Sequence, residues 1–230
     1  MEVSGVKSAQ EKKSVTAEDW QRVLAASQVV TSLKDEGEGI TSWFACFRES
    51  EPDLSTNKKI CLNKSFAKRD VFRKMYFFKS GINSAIPSTV SGWNYVISYI
   101  SLPDNKLPKL MLSPRYFSKD GWLFMSRVSV LADNELIFDR TFEKLDVDRT
   151  NESYGVEEII HLVITDDEIK SLRKLAAANS ISIRLTGDKG HVSVSQKAVK
   201  GFKEEIANIL FVYDRLHKNL KDVIPAPKSE

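Results

Sequence analysis

The chain has 230 residues, of which 42% are hydrophobic, 10% aromatic and 28% charged. This composition is typical of a folded globular protein and excludes a wholly disordered chain, a collagen-like repeat and a small disulfide-rich domain. The 34 lysines and arginines nearly balance the 31 aspartates and glutamates, so the net charge of +3 does not by itself indicate a polyanionic partner.

Both ends of the chain are polar. Residues 1–15 and 222–230 contain too few apolar side chains to form a core, so we predict a disordered leader and a flexible tail around a single domain at 16–221. No apolar run approaches the ~18 residues that cross a membrane, and the leader lacks the hydrophobic stretch of a secretion signal. We therefore expect a cytoplasmic protein with no membrane contact.

Three segments have the apolar periodicity and the capping residues of helices. Thr16 can cap the first helix, which we expect to end before Gly37. Thr165 and Glu168 match the capping-box pattern, and Ser195 can cap the last helix. The predicted helices cover residues 17–34, 166–178 and 195–220.

Between the first two helices the pattern is that of short strands separated by turn residues. Asp133 and Asn134 tolerate positive φ and predict a tight hairpin, and Gly187 and Gly190 bound a second one. The predicted strands cover residues 40–47, 59–62, 71–78, 93–101, 109–112, 122–131, 135–142 and 157–164, with two more around the second hairpin at 181–185 and 191–194. Close spacing without intervening helices favours an α+β fold: a largely antiparallel twisted sheet or sandwich, two C-terminal helices packed on it and an N-terminal accessory helix.

The segment from Lys58 to Lys79 has eight lysines and arginines against Asp70 alone, with aromatic residues among them. Cations for phosphates and flat rings for bases are the chemistry of single-stranded nucleic-acid binding. A strand with its rings in the core and its lysines in solvent explains the same pattern. The candidate binding residues are Lys64, Lys68, Arg69, Phe72, Arg73, Lys74 and Tyr76, with Phe72 or Tyr76 stacking on bases.

The segment from Asp133 to Glu168 is the acidic counterpart, with twelve carboxylates against three basic residues. The two segments can neutralise each other within one chain, or they can stack molecules head to tail. Asp146, Asp148, Asn151 and Glu152 gather oxygen ligands of the kind that calcium prefers, but an EF-hand spacing is absent and a solvated acidic loop is the simpler interpretation. Arg184 is expected to pair with Glu157 or Glu158 on a neighbouring strand.

No catalytic motif is complete. Asp188, His191 and Ser193 are close in sequence and suggest a hydrolase triad, but a triad needs a tertiary arrangement that one hairpin does not provide. His161 and His217 have no second ligand at a short spacing, so we assign no catalytic residue, metal or cofactor. Cys46 and Cys61 form no CxxC pair; a disulfide between them is conceivable, and reduced, half-buried thiols are the simpler expectation.

Charge segregation without a catalytic motif favours a non-enzymatic accessory or protein-interaction domain, encoded by a bacterium or a mobile element. Its contact surface would be the basic segment, the acidic segment or both. The alternatives are a single-stranded nucleic-acid-binding protein that uses residues 58–79 and a hydrolase around His191. The sequence leaves the partner and the oligomeric state open.

Overall fold

The computed structural model describes residues 15–47, 63–81 and 94–225, which form three α-helices and thirteen strands. The helices are α1 (Ala17–Ala26), α2 (Asp166–Ala177) and α3 (Gln196–Leu220). The strands are β1 (Val29–Gly37), β2 (Ile40–Phe47), β3 (Asn63–Asp70), β4 (Met75–Ser80), β5 (Tyr95–Pro103), β6 (Lys109–Ser118), β7 (Met125–Ala132), β8 (Glu135–Thr141), β9 (Asp148–Glu152), β10 (Gly155–Ile159), β11 (Leu162–Val163), β12 (Ile181–Gly187) and β13 (Gly190–Ser193). Every strand pairing in this part of the chain is antiparallel, which confirms the α+β class that the sequence predicts.

The larger sheet has nine strands in the order β1-β2-β3-β4-β5-β6-β10-β9, and β11 also pairs with β6. Strands β1 to β6 follow one another along the chain and across the sheet, as short antiparallel connections allow. The register sets Phe44 opposite Phe66, Phe66 opposite Lys79, and Lys79 opposite Tyr99. Because directly paired residues point to the same side, these four side chains form one row across four strands.

The smaller sheet has the order β13-β12-β7-β8. Asp133 and Asn134 form the β7–β8 turn with φ angles of 48° and 69°, as their tolerance of positive φ predicts. The second hairpin is also confirmed, because Gly187 pairs with Gly190 across the β12–β13 turn.

Helix α3 packs against β3, β4 and β5 of the larger sheet and against β12 of the smaller one. Its buried side chains, which include Ile206 and Ile209, belong to the same apolar cluster as Phe78, Ile100 and Ile183 of the two sheets. Only one side of the larger sheet is in contact with α3, and we call this side the inner face.

All three helix starts are as predicted. Thr16 and Asp19 cap α1 reciprocally, Thr165 and Glu168 do the same for α2, and the Ser195 hydroxyl accepts from the Ala198 amide at the start of α3. Each cap satisfies amide groups that a helix leaves without an internal partner.

Two predicted elements are wrong. The first helix ends at Ala26, and residues Val29–Gly37 form edge strand β1 instead of continuing it. Residues 71–74 form a turn rather than the start of a strand, with Lys74 at a φ of 51°. In both places a hairpin turn outweighs the predicted element: Gly37 to Gly39 have positive φ at the β1–β2 turn, and residues 71–74 connect β3 to β4. The strand predicted at 59–62 lies outside the described residues.

The two sheets are joined through one fully buried carboxylate. Glu158 on β10 accepts hydrogen bonds from the backbone amides of Leu123 at 2.6 Å, Phe124 at 2.8 Å and Met125 at 2.7 Å. The Arg149 guanidinium on β9 lies 3.6 Å away and supplies the opposite charge. Because Leu123 to Met125 lead into β7, Glu158 fixes the start of the smaller sheet against the larger one.

We expect Glu158→Gln to lower the free energy of unfolding by about 3 kcal/mol. The substitution sets an amide group against backbone amides and leaves Arg149 without its counter-charge. Urea unfolding followed by tryptophan fluorescence measures the effect. Glu152→Gln, at an exposed position on β9, is the matched control, and equal losses in the two variants would contradict the role assigned to Glu158.

Candidate nucleic-acid interface

The face of the larger sheet that points away from α3 has lysines and aromatic rings side by side. Strand side chains alternate between the two faces, so buried Ser65 and Ala67 point toward α3 while Lys64, Phe66 and Lys68 point away from it. We call this surface the cationic face; its residues are Phe44, Lys64, Phe66, Lys68, Phe77, Lys79, Tyr99 and Lys109.

The rings of the cationic face are in mutual contact. Phe44 and Phe66 meet edge to face, with ring centroids 5.8 Å apart, and Phe77 and Tyr99 are 6.3 Å apart. The Lys64 ammonium lies 3.9 Å from the centre of the Phe44 ring, a cation–π contact. Phe66 remains 38% exposed, so its ring is accessible as a flat apolar surface.

The lysines of this face form no salt bridges with the described carboxylates. In residues 15–47, 63–81 and 94–225 no salt bridge involves Lys64, Lys68, Lys79 or Lys109. The Glu36 carboxylate on β1 accepts hydrogen bonds from Lys34 and Ser42, which lower its pKa, and the charge of Lys68 lowers it further. The face therefore has a positive potential, which favours an anionic ligand.

The seven residues that the sequence selected divide into three groups. Lys64 and Lys68 lie on the cationic face. Arg69 and Tyr76 lie on the other side of the sheet, paired with each other across β3 and β4. Phe72, Arg73 and Lys74 are exposed in the β3–β4 turn, where Phe72 is 83% exposed and packs over Gly39 of the β1–β2 turn.

Tyr76 is not placed to stack on a base. Its ring packs beside Trp20 and Trp43, at centroid distances of 6.1 and 6.2 Å, and its hydroxyl donates to Gln21 at 3.0 Å. Burial raises the pKa of the Tyr76 phenol. Arg69 covers the same ring and donates two hydrogen bonds of 2.7 Å to Asp104, so its charge is neutralised.

The candidate binding residues predicted from the sequence do not include Phe66, the exposed ring of the cationic face. Phe66 lies two residues from both Lys64 and Lys68, and this spacing in a strand places all three on one side. The expectation that the rings point into the core and leave only charged groups outside is therefore wrong for Phe66 and for Phe72.

The ion pairs of the acidic segment include basic residues on β7, β8 and α2. Arg140 contacts Glu168 at 3.1 Å, Arg127 pairs with Asp139, and Lys174 contacts Glu135 at 3.2 Å. No described salt bridge joins this segment to residues 63–79, so within the described residues the two segments do not neutralise each other through salt bridges.

Two smaller expectations about acidic residues are corrected. Residues 148–152 form strand β9 instead of a loop, and no cluster of three or more metal-binding side chains occurs in the described ranges. Arg184 does not pair with Glu157 or Glu158: it lies in the smaller sheet, Glu157 pairs with Arg115, and Glu158 binds backbone amides.

The histidines show no assembled triad. Asp188 accepts a hydrogen bond from Lys144 at 2.6 Å, and within the described ranges no hydrogen bond joins His191 to Ser193 or Asp188. The Nδ1 atom of His161 lies 2.6 Å from the Ser113 hydroxyl and 3.2 Å from that of Tyr99, a cluster that no sequence motif predicts. Ser113 is only 1% exposed, which closes its hydroxyl to an incoming substrate.

Cys46 on β2 is disulfide-bonded, which corrects the expectation of reduced thiols; Cys61 lies outside the described residues.

Among the helices of the described chain, none combines the length and the apolar character that a bilayer crossing requires. Comparisons with protein-family models, curated proteins and solved structures give no significant match.

A buried polar layer lies between the cationic strands and α3. Glu205 accepts hydrogen bonds from the backbone amide of Ser98 and, at 2.9 Å, from its hydroxyl. One turn further along α3, Asn208 donates to the Lys64 carbonyl and to the Ser80 hydroxyl, each at 3.1 Å. Burial raises the pKa of Glu205 to about 7, against the opposing effects of the Ser98 hydrogen bonds and the Lys79 charge.

We expect the free energy of unfolding to fall by about 3 kcal/mol as pH rises from about 5 to about 8, because the folded protein must ionise a buried carboxyl that an unfolded chain ionises at lower pH. The stabilising proton on Glu205 is fully bound below the pKa of the unfolded chain and is lost as pH passes through about 7. Glu205→Gln should remove this decline. Urea unfolding across the pH series measures it, and a decline that persists in Glu205→Gln would refute the assignment.

Proposed function

We propose that the protein is a non-enzymatic binding protein whose cationic face binds single-stranded nucleic acid. The observation that supports the proposal best is the juxtaposition of Lys64, Phe66 and Lys79 on a sheet face that α3 does not cover. Lysines contribute affinity for phosphates, and exposed rings stack on bases of any sequence. An antiparallel sheet face with rings at its surface is a recurrent platform for unpaired bases.

The size of the face fits a short stretch of ligand. The exposed side chains Phe66, Lys79 and Lys109 lie on strands β3, β4 and β6, and neighbouring strands are about 4.8 Å apart, so they span roughly 15 Å. Several unstacked nucleotides extend across such a distance. Double-stranded nucleic acid hides its base faces and would contact the lysines alone, so we propose that single strands bind more tightly.

A protein partner is the second candidate. The observation that favours it is the β3–β4 turn, where Val71 and Phe72 are both exposed beside Arg73 and Lys74. An exposed ring at a loop tip is a typical anchor in protein interfaces.

Neither proposal includes the cytoplasmic location that the sequence predicts. A disulfide such as that of Cys46 is rare in reducing compartments.

Replacing three face lysines together, as Lys64→Gln, Lys68→Gln and Lys79→Gln, should weaken the salt dependence of binding. Each lost phosphate contact reduces the slope of log affinity against log salt by about 0.7, so the triple variant should lose about 2 from the slope. Anisotropy of a labelled thymidine oligonucleotide, titrated at salt concentrations from about 50 to about 200 mM, measures the slope.

Lys189→Gln, Lys218→Gln and Lys221→Gln form the matched control, since these exposed lysines carry the same charge outside the face. The control variant should bind like the wild type. Equal reductions of the slope in both variants would mean that the protein attracts polyanions through its overall charge. No binding of the oligonucleotide by the wild type at the lowest salt would refute the proposal.

Phe66→Ala should weaken binding of the same oligonucleotide by about five- to 150-fold through the loss of one stacked base. Leu136→Ala, which removes another exposed apolar side chain from the smaller sheet, is the control and should leave affinity unchanged. Circular dichroism confirms that both variants fold. Binding that depends on the lysines but not on Phe66 would point to phosphate contacts without bases, as in a duplex or an acidic protein.

A further inference from the structure

The turn between β3 and β4, at residues 71–74, is held in place by the two hairpin turns on either side of it. The Val71 amide donates to the Gly39 carbonyl of the β1–β2 turn at 3.0 Å, and the Asp104 amide, just after β5, donates to the Lys74 carbonyl at 2.9 Å. The Lys74 amide closes the turn by donating to the Val71 carbonyl at 3.2 Å. The side chains of this turn are therefore carried by a fixed backbone.

Phe72 is the most exposed aromatic side chain of the described residues, at 83%. One edge of its ring lies against Gly39: a Cβ placed on that glycine would be 2.9 Å from Cε2 and 3.1 Å from Cδ2 of the ring. Gly39 also has a φ of 72°, which favours glycine. The ring is thus held at one edge and accessible over most of its surface, so a ligand that contacts it has little side-chain motion to restrict.

Cations and exposed rings alternate along β3 and its turn. Lys64, Phe66 and Lys68 lie on the cationic face, and Phe72 and Lys74 follow in the turn. In the part of the chain that the structure describes, Lys74 forms no salt bridge, as is the case for the lysines of the face. The order of cation, ring, cation, ring and cation suits a ligand in which phosphates and bases alternate.

Two carboxylates at this end of the sheet are bound to arginines. Asp104 accepts two hydrogen bonds of 2.7 Å from Arg69, and Asp70 lies 3.6 Å from the Arg73 guanidinium. These two carboxylates therefore leave the ammonium group of Lys74 available to an anionic ligand.

We propose that Phe72 stacks on a second base of the ligand, so that the nucleic acid continues from Phe66 along β3 to the turn. The inference rests on the function proposed above and deepens it by assigning the course and the length of the ligand. Six residues of a strand advance about 20 Å, which is the upper bound of the distance between the two rings because the chain turns after Asp70. Stacked nucleotides advance about 3.4 Å each, so up to about six nucleotides separate the two bases.

The first test compares two replacements of Phe72. Phe72→Leu keeps an apolar side chain but removes the flat ring, and Phe72→Trp keeps a ring and enlarges it. For a thymidine oligonucleotide of about sixteen nucleotides, Phe72→Leu should weaken binding by about fivefold or more, and Phe72→Trp should bind at least as tightly as the wild type. Val71→Ala, at the 53% exposed neighbour in the same turn, is the matched control and should leave the affinity unchanged.

The length of the oligonucleotide provides a second readout, which a merely structural role of Phe72 would not change. With thymidine oligonucleotides from about three to about sixteen nucleotides, the affinity of the wild type should rise with length until one ligand contacts both rings. The rise should be smaller in Phe72→Leu, and the shortest oligonucleotide should bind both proteins within about twofold, because it contacts one ring at a time.

Equal affinities of the wild type and Phe72→Leu for the longest oligonucleotide overturn the inference and leave Phe72 as an apolar contact for a protein partner. An equal loss in Val71→Ala also overturns it, because the effect would then come from the shape of the turn. Either result leaves the proposed function standing, since that function requires only that binding depends on the lysines of the cationic face and on Phe66. No binding of the longest oligonucleotide by the wild type refutes the proposed function and with it this inference.

Discussion

The arrangement of the molecule depends on the buried carboxylate of Glu158. Three backbone amides that precede β7 donate to it, so the smaller sheet begins at a fixed place relative to β10 of the larger one. This fixed offset lets α3 contact β12 with one part of its length and β3, β4 and β5 with another. Helix α3 contacts both sheets and therefore covers only one side of the larger sheet. The other side carries polar and aromatic side chains.

The same constraint explains why the cationic face can exist at low cost in stability. Phe78, Ile100 and Ile206 form a core on the inner side, so the outer side chains need not supply the main burial of apolar surface. Rings there are stabilised by edge-to-face and cation–π contacts with their neighbours instead. A sheet organised in this way has one face that forms the core and one face that leaves charged and aromatic side chains accessible.

The sequence predicts elements that depend on local periodicity and caps, and it fails where a hairpin turn competes with a helical or strand pattern. Helices α2 and α3 lie within a residue of their predicted bounds, and strand β2 matches its prediction at both ends. Strand β1 differs from the predicted helix because Gly37, Glu38 and Gly39, taken from the sequence as the end of that helix, form the turn of the β1–β2 hairpin. The sequence predicts the basic segment as a candidate site. Its single predicted strand at 71–78 does not include the turn that separates Phe72 from Tyr76.

The burial of two polar residues on α3 could not be predicted from the helical pattern. Glu205 and Asn208 are three residues apart and belong to the buried arc of the helix, yet a helical pattern with a glutamate at that position predicts an exposed side chain. Only the tertiary structure shows why a carboxylate is tolerated there: the β4–β5 pairing ends at Tyr99, and the amide of Ser98 needs an acceptor that an apolar residue cannot provide. An amide side chain would satisfy that amide equally well. A carboxyl whose pKa burial raises to about 7 instead makes the packing of α3 against β5 dependent on pH.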